Sequence, residues 1–129
     1  MIYKYDRVVK YYETDRMGVV HHSNYIRWFE EARVEFMQDE GIMVPVVTVE
    51  CKYKNPVTFD DEVTVNTKVR KFNGIVIELE YEVVRTDDGS AVVTGASSHC
   101  FVDAKTFKPL NLKRERADMY DKFIKAMED

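Results

Sequence analysis

A short segment near the beginning of the chain combines an acidic residue, a glycine and the start of a helix. Asp15 lies in a loop after a strand pattern, Gly18 permits a sharp turn, and a helical pattern begins near Ser23. The first turn of a helix has free backbone N–H groups and a partial positive charge, so it can stabilise a developing oxyanion. A carboxylate beside it can act as a general base on water or attack a carbonyl itself.

Acyl transfer from a thioester fits this pair of features. The leaving thiolate is stable at a thiol pKa of roughly 8.5 or a little above, so it needs little help from an acid. One carboxylate and one oxyanion site are then enough, and no serine or cysteine nucleophile is required. The sequence contains no Gly-x-Ser-x-Gly pattern of the kind that carries the nucleophile of serine hydrolases.

The elements that must position these groups are one thick helix and a series of strands. Apolar residues recur at three- and four-residue steps from about Ser23 to Gly41, which predicts a helix buried on most of its circumference. Alternation and β-branched residues predict a first strand over 2–12 and four consecutive strands, forming an antiparallel meander, over 44–102. The order predicts an α+β fold in which an antiparallel β-sheet is wrapped around one long central helix.

The tail over 112–127 has a thin apolar face and is expected to form a minor helix. The residues of that face are Ala117, Tyr120, Ile124 and Met127. A single sheet on a single helix leaves apolar surface and an edge strand uncovered. We therefore expect the chain to form a homo-oligomer.

Composition and charge exclude several classes of protein. The chain has 129 residues, enough for one domain over 1–129 with one core. Its formal net charge of −4 argues against general binding to nucleic acid or to a membrane surface, because both need a basic face. The first residues lack the apolar core of a signal peptide, and no apolar run approaches membrane-spanning length, so we expect a cytoplasmic protein without membrane insertion. Cys51 and Cys100 are expected to be reduced, and no metal site is predicted.

The segment around Asp15 resembles the signature of a known family. The run Asp15-x-x-Gly18-Val19-Val20-x-His22-x-Asn24-Tyr25, followed by Glu30-x-Ala32-Arg33, is similar to that of the 4-hydroxybenzoyl-CoA thioesterase family. It is most similar to the acyl-CoA thioesterase branch associated with the tol–pal system. The likeness continues through Tyr53, Pro56, Asp60-Asp61 and Val65, and ends at His99-Cys100-Phe101-Val102-Asp103.

The resemblance implies a hotdog fold and an acyl-CoA thioesterase that needs no cofactor, because CoA is part of the substrate. It also implies a homodimer or homotetramer with active sites at the subunit interface. The family's catalytic aspartate falls on Asp15. The residue whose backbone N–H polarises the thioester carbonyl falls on His22, whose imidazole would assist the aspartate.

Further residues are expected to contact the acyl-CoA substrate. Gly18 and Val19 are expected to bind the substrate, and the resemblance implies that Tyr25 lines the acyl site. Lys68 and Arg70 are expected to hold a CoA phosphate. The sequence differs from the family at Arg16 and Met17, where small residues are usual, which predicts an altered acyl pocket. His21 is expected to be exposed without a functional role, and His99 to serve packing.

Three alternatives stay open from the sequence alone. Another branch of hotdog thioesterases uses a glutamate on the helix, a role open to Glu30 or Glu31, although Glu30 and Arg33 are also spaced for an ion pair. A hotdog dehydratase acting on a 3-hydroxyacyl thioester is the rival enzyme. A non-catalytic acyl-CoA-binding protein is the third.

Overall fold

A computed structural model describes residues 1–37 and 39–128 of the chain. The strands are β1 (Ile2–Val8), β2 (Ile42–Met43), β3 (Val46–Tyr53), β4 (Glu62–Phe72), β5 (Val76–Arg85), β6 (Ala91–Cys100) and β7 (Val102–Asp103). The helices are α1 (Ser23–Met37), α2 (Leu112–Glu115) and α3 (Ala117–Met127), and a single 3-10 turn covers Tyr11–Glu13. None of the helices within the described residues is long and apolar enough to cross a membrane.

Five strands form one antiparallel sheet in the order β1-β4-β5-β6-β3, and α1 packs against its buried face. The predicted sheet around one long central helix is confirmed. The predicted four-strand meander is wrong in one respect, because only β4, β5 and β6 follow one another. β1 occupies the free edge of β4, pairing Ile2 with Lys68 and Val8 with Glu62. The first strand of the expected meander, β3, therefore pairs with β6 at the opposite edge of the sheet.

α1 lies close against the sheet at Gly95 in β6. Phe29 is fully buried and stacks on the ring of Tyr81, with 4.3 Å between centroids and 6° between planes. A Cβ atom on Gly95 would lie 2.5 Å from Cε2 of Phe29 and 2.7 Å from the carbonyl oxygen of Glu50. The absence of a side chain at Gly95 thus lets the phenyl ring lie flat against the sheet.

The C-terminal helix closes one end of the core with a face that the sequence analysis identified only in part. Phe123, Met119 and Ala126 are buried, Tyr120 and Ile124 of the predicted face are partly buried, and Ala117 and Met127 are exposed. Two overlapping helical series were available in this segment. The series containing Phe123 is the buried one because its ring joins a cluster of aromatic side chains. That cluster also contains Phe36, Phe72, Phe101 and Tyr120.

Candidate active site

Asp15 lies in a tight loop that its own atoms help to hold. Its carboxylate Oδ1 accepts a hydrogen bond from the Met17 N–H at 2.8 Å. Its carbonyl accepts from the Gly18 N–H, and its own N–H donates to the carbonyl of Val19, both at 2.9 Å. Gly18 has a φ of +81°, a left-handed conformation that glycine adopts without a steric penalty. Among the described residues, nothing hydrogen-bonds to Oδ2 of Asp15, so one oxygen shapes the loop and the other is available.

The loop is attached to the rest of the protein by short bridges. Val20 donates its N–H to the carbonyl of Val57 at 2.9 Å, and Val19 forms a β-bridge with Thr58. Thr14 and Val20 bridge each other across the loop. Asp15 therefore projects from a small hairpin with a defined position rather than from a free connection.

The start of α1 is capped by His21. The carbonyl of His21 accepts the Asn24 N–H at 2.9 Å, and its ring Nδ1 accepts the Ser23 N–H at 3.3 Å. Within residues 1–37 and 39–128, no hydrogen bond engages the backbone N–H of His22. The predicted exposure of His21 is confirmed, but the expectation that it has no role missed this cap. The backbone N–H of His22 is thus a free donor at the helix start among the described residues.

Aromatic side chains surround the helix start. The His22 ring is exposed and contacts the ring of Tyr53 edge-on, with 6.1 Å between centroids. Tyr25 is buried next to Tyr53, and burial raises the pKa of Tyr25 to about 12. Its hydroxyl therefore stays protonated at neutral pH. Tyr53 is half-exposed on the edge strand β3, so this wall of the site continues to the edge of the sheet.

A buried carboxylate that the sequence analysis did not identify holds the loop and the helix together. Glu13 is 4% exposed and accepts hydrogen bonds from both terminal nitrogens of Arg7, at 2.8 and 2.9 Å. It also accepts from the Trp28 indole N–H and from the Lys10 N–H, each at 2.8 Å. The Arg7 guanidinium lies over the Trp28 ring at 4.6 Å. We call Arg7, Glu13 and Trp28 the Glu13 cluster.

The backbone of Glu13 adds a second connection between the same parts. Its carbonyl accepts the His21 N–H at 2.9 Å and the side-chain amide of Asn24 at 2.8 Å. Glu13 lies two residues before Asp15, so one residue fixes both the beginning of the Asp15 loop and the beginning of α1. The sequence offered only its closeness to Asp15 as a signal, because spacing does not reveal the pairing with Arg7 and Trp28.

Comparison with known proteins decides the family. A model described as the thioesterase-like superfamily matches residues 9–126. The chain belongs to this superfamily. It is 30% identical over 128 residues to YneP of Bacillus subtilis, named "Putative acyl-CoA thioesterase", with 92% of each chain covered. It is 24% identical over 126 residues to the long-chain acyl-CoA thioesterase FadM of Escherichia coli, with 91% of this chain and 96% of FadM covered.

A solved structure supports the same conclusion. The DHNA-CoA thioesterase from Staphylococcus aureus superimposes with a TM-score of 0.87 at 29% identity, covering 96% of this chain and 89% of that one. The predictions of a hotdog fold and of a thioester-hydrolysing enzyme are thereby confirmed. The narrower assignment to the tol–pal branch of the 4-hydroxybenzoyl-CoA thioesterases stays a prediction.

The structure places the two residues predicted to bind a CoA phosphate away from the Asp15 loop. Lys68 and Arg70 lie on the face of β4 opposite α1, where they line a cavity of about 480 Å³, and Arg70 is 3.6 Å from Glu78. The Asp15 loop adjoins the other end of β4. Lys68 is six positions from Glu62 at that end, about 20 Å along the strand. A role for Lys68 and Arg70 in binding a CoA phosphate stays a prediction.

The two helix glutamates have different surroundings. Glu30 is exposed on α1, about 12 Å along the helix from His22. The expected ion pair between Glu30 and Arg33 is wrong, because Arg33 instead donates to the hydroxyl of Tyr81 at 3.2 Å. Glu31 accepts from the Tyr5 hydroxyl at 2.9 Å and approaches Arg7 at 3.5 Å. In the described part of the chain, His, Cys, Asp and Glu side chains form no cluster of three suited to a metal ion.

Proposed function

We propose that the chain hydrolyses an acyl-CoA thioester to a carboxylic acid and free CoA. Asp15 acts as the general base or the nucleophile, and the backbone N–H of His22 stabilises the carbonyl oxyanion. One observation carries this assignment: Glu13 ties the Asp15 loop to the start of α1, with Oδ2 of Asp15 and the N–H of His22 both available. The membership in the thioesterase-like superfamily supports the reaction class.

The reaction divides the work between these two groups. With Asp15 as base, its carboxylate takes a proton from water, and the hydroxide adds to the carbonyl carbon. The negative charge on the carbonyl oxygen is then stabilised by the His22 N–H and by the positive end of the helix dipole. When the C–S bond breaks, the CoA thiolate leaves and takes up a proton from Asp15 or from water. With Asp15 as nucleophile, its carboxylate adds to the carbonyl carbon, the C–S bond breaks and the CoA thiolate leaves, giving a mixed anhydride. Water then hydrolyses this anhydride to the carboxylic acid and frees Asp15.

The acyl group is bound beside these residues. Gly18 and Val19 form the turn next to Asp15, and Tyr25 is the buried residue behind the helix start. Met17 is 80% exposed, so it does not fill the space between Asp15 and α1. The position of Met17 supports an accessible carboxylate despite the larger residues that follow Asp15.

A second copy of the chain completes the site in this proposal. The outer edge of β3 has no strand partner within the described residues, and Val46, Val47, Val49 and Tyr53 on it are exposed. An exposed apolar edge strand favours pairing with another strand. Because Tyr53 contacts the His22 ring, a partner at this edge would lie beside the helix start. We expect sedimentation to show a homodimer or homotetramer, and a monomer at working concentration would contradict this part.

Asp15→Asn tests the catalytic assignment directly. Loss of the basic carboxylate is expected to lower kcat about 10²–10⁴-fold, the usual contribution of a positioned acid or base. Released thiol is measured with DTNB over short, long and aromatic acyl-CoAs. Asp60→Asn is the matched control, because Asp60 is exposed and its positive φ of 72° is one that asparagine also adopts. An Asp15→Asn variant as fast as the parent would show that Asp15 is not catalytic.

Glu30→Gln separates this assignment from the helix-glutamate alternative. If Glu30→Gln is inactive while Asp15→Asn is active, the catalytic carboxylate is on α1. If thiol release is absent in the parent while acyl-CoA still binds, the chain is a binding protein. Hydration of a crotonyl thioester would instead indicate the dehydratase.

A further inference from the structure

A line of buried hydrogen bonds crosses the core from α1 to the segment before β3. Arg33 donates to the Tyr81 hydroxyl, which lies 2.6 Å from Oγ of Ser97. Oγ of Ser97 lies 2.7 Å from Nε2 of His99, and Nδ1 of His99 lies 3.2 Å from the carbonyl oxygen of Pro45. The four side chains are between 0% and 9% exposed. We call this line the Arg33 chain.

The direction of every bond in the Arg33 chain follows from its two ends. The Pro45 carbonyl only accepts, so Nδ1 of His99 carries the hydrogen. Burial, and secondarily the charge of Arg33, lowers the pKa of His99 to about 4, so the ring is neutral at pH 7 and its Nε2 accepts. Ser97 must then donate to His99, and Tyr81 must donate to Ser97. The Tyr81 oxygen is left as the acceptor for Arg33.

Arg33 therefore carries a positive charge that the Arg33 chain does not balance. Throughout residues 1–37 and 39–128, no carboxylate lies within ion-pair distance of Arg33, and Tyr81 is its only hydrogen-bond partner. Only one of its five N–H donors is used. A charged side chain that is 9% exposed is normally paired, because desolvation of an unpaired charge is costly.

Arg33 also lines a cavity of about 240 Å³ beside α1. Its apolar wall consists of Val34, Met37, Ile42 and Val44. Two carboxylates also border it, but Asp39 is already bound by Arg116 at 2.9 Å, and Glu30 is on the exposed side. The cavity thus offers an apolar wall beside one cation that no carboxylate compensates within the described residues.

We propose that this cavity receives the far end of the acyl group and that Arg33 binds a carboxylate there. The inference rests on the proposed function and names its substrate class, acyl-CoAs with a dicarboxylic acyl group. Arg33 lies eleven positions after His22, about 16 Å along α1, which an extended acyl chain lying along the helix can reach. A guanidinium binds a carboxylate with two parallel hydrogen bonds, so this ligand uses the donors that the Arg33 chain leaves free.

Matched substrate pairs test the proposal. We compare kcat/KM for dodecanedioyl-CoA with that for dodecanoyl-CoA, and use adipoyl-CoA and hexanoyl-CoA as a control pair whose chains are too short to reach Arg33. The parent is expected to prefer dodecanedioyl-CoA over dodecanoyl-CoA about tenfold or more, because a hydrogen bond to a charged group contributes at least that much to binding. In Arg33→Gln that ratio is expected to fall to about one. No preference in the parent, or an unchanged ratio in Arg33→Gln, would overturn the proposal.

Two further measurements keep the test decisive. Tyr81→Phe removes the acceptor behind Arg33 but leaves the cation in place, so the preference is expected to persist. If Arg33→Gln does not fold, calorimetric binding of dodecanedioate and dodecanoate to the parent gives the same comparison without a variant. Tighter binding of the dicarboxylate supports the proposal, and equal or weaker binding refutes it. Because binding needs no turnover, a parent that hydrolyses nothing refutes the proposed function alone.

Discussion

Arg7 and Arg33 both have side chains with little exposure to solvent but differ in their electrostatic surroundings. Arg7 makes two hydrogen bonds with Glu13, whose carboxylate also accepts from Trp28, so the charge is balanced within the cluster. Arg33 makes one hydrogen bond with a neutral hydroxyl and has no carboxylate partner among the described residues. The Glu13 cluster is complete as it stands. In the Arg33 chain, the donors of Tyr81, Ser97 and His99 all have acceptors, and only Arg33 has N–H groups without one among the described residues.

The Glu13 cluster fixes the local geometry, whereas the Arg33 chain leaves hydrogen-bond donors that can bind a ligand. The Glu13 cluster uses its ionic hydrogen bonds to join β1, the Asp15 loop and α1. Arg7 also lines a cavity of about 270 Å³, but both of its terminal nitrogens already donate to Glu13. The Arg33 chain crosses β5 and β6 and ends at a cavity. The two arginines should therefore respond differently when their neighbours are changed.

The largest effect is expected from Glu13→Gln. Removing one partner of a buried ion pair typically lowers the free energy of unfolding by about 3–5 kcal/mol, and Arg7 would keep only the more exposed Glu31 carboxylate, 3.5 Å away. Because the Asp15 loop and the helix start lose their common anchor, kcat should also fall while KM changes little. Urea unfolding and steady-state kinetics below the unfolding transition measure the two effects. Glu13→Asp keeps the charge and should restore part of kcat.

Arg116→Met provides the matched control for Glu13→Gln. Arg116 pairs with Asp39 at 2.9 Å, far along the chain from the Asp15 loop, and their side chains are 30% and 21% exposed. Ion pairs of this exposure contribute up to about 1 kcal/mol, so a small loss of stability and an unchanged kcat are expected. If Glu13→Gln behaves like Arg116→Met, the Glu13 cluster does not position the active site.

A smaller, pH-dependent effect is expected from His99. Burial, and secondarily the charge of Arg33, lowers its folded-state pKa from 6.5 to about 4, and Tyr81 and Ser97 are the other groups of the Arg33 chain. Between these values the unfolded chain binds a proton that the folded chain does not. Stability is therefore complete above pH 6.5 and falls as the pH drops towards 4, by up to about 3 kcal/mol.

Comparison of the parent with His99→Gln isolates this contribution. Urea unfolding is followed from pH 7 to 4.5 in both proteins. The parent should lose more stability than the variant over this range, because the variant has no imidazole to protonate. Equal slopes would assign the acid sensitivity to other groups and would weaken the inferred direction of the Arg33 chain.

Local patterns predicted most of the elements near Asp15. The helical period and Ser23 gave the correct start of α1. Asp15 and Gly18 were placed correctly in one loop. These features depend on residues within a few positions of one another, so their spacing carries the information.

Features that depend on distant residues could not be predicted in the same way. Glu13 and Trp28 are fifteen residues apart, and Arg33 and Tyr81 are forty-eight apart, so neither contact follows from periodicity. The position of β3 beside β6 depended on β1 taking the edge of β4. The buried face of α3 depended on where Phe123 met the aromatic cluster. In each case a contact between residues distant in sequence determined the observed arrangement.

Gly95 restricts how this scaffold can diverge. A Cβ atom on Gly95 would lie only 2.5 Å from Phe29, so this position has room for a hydrogen atom alone. The distance between α1 and the sheet therefore depends on this glycine. Any larger substituent would have to displace α1, and with it the residues at its first turn. Variation in substrate range is therefore confined to surfaces outside this contact, such as Met17 on the loop and the cavity beside Arg33. Related enzymes can therefore change their substrate range through these two regions while the distance between α1 and the sheet stays the same.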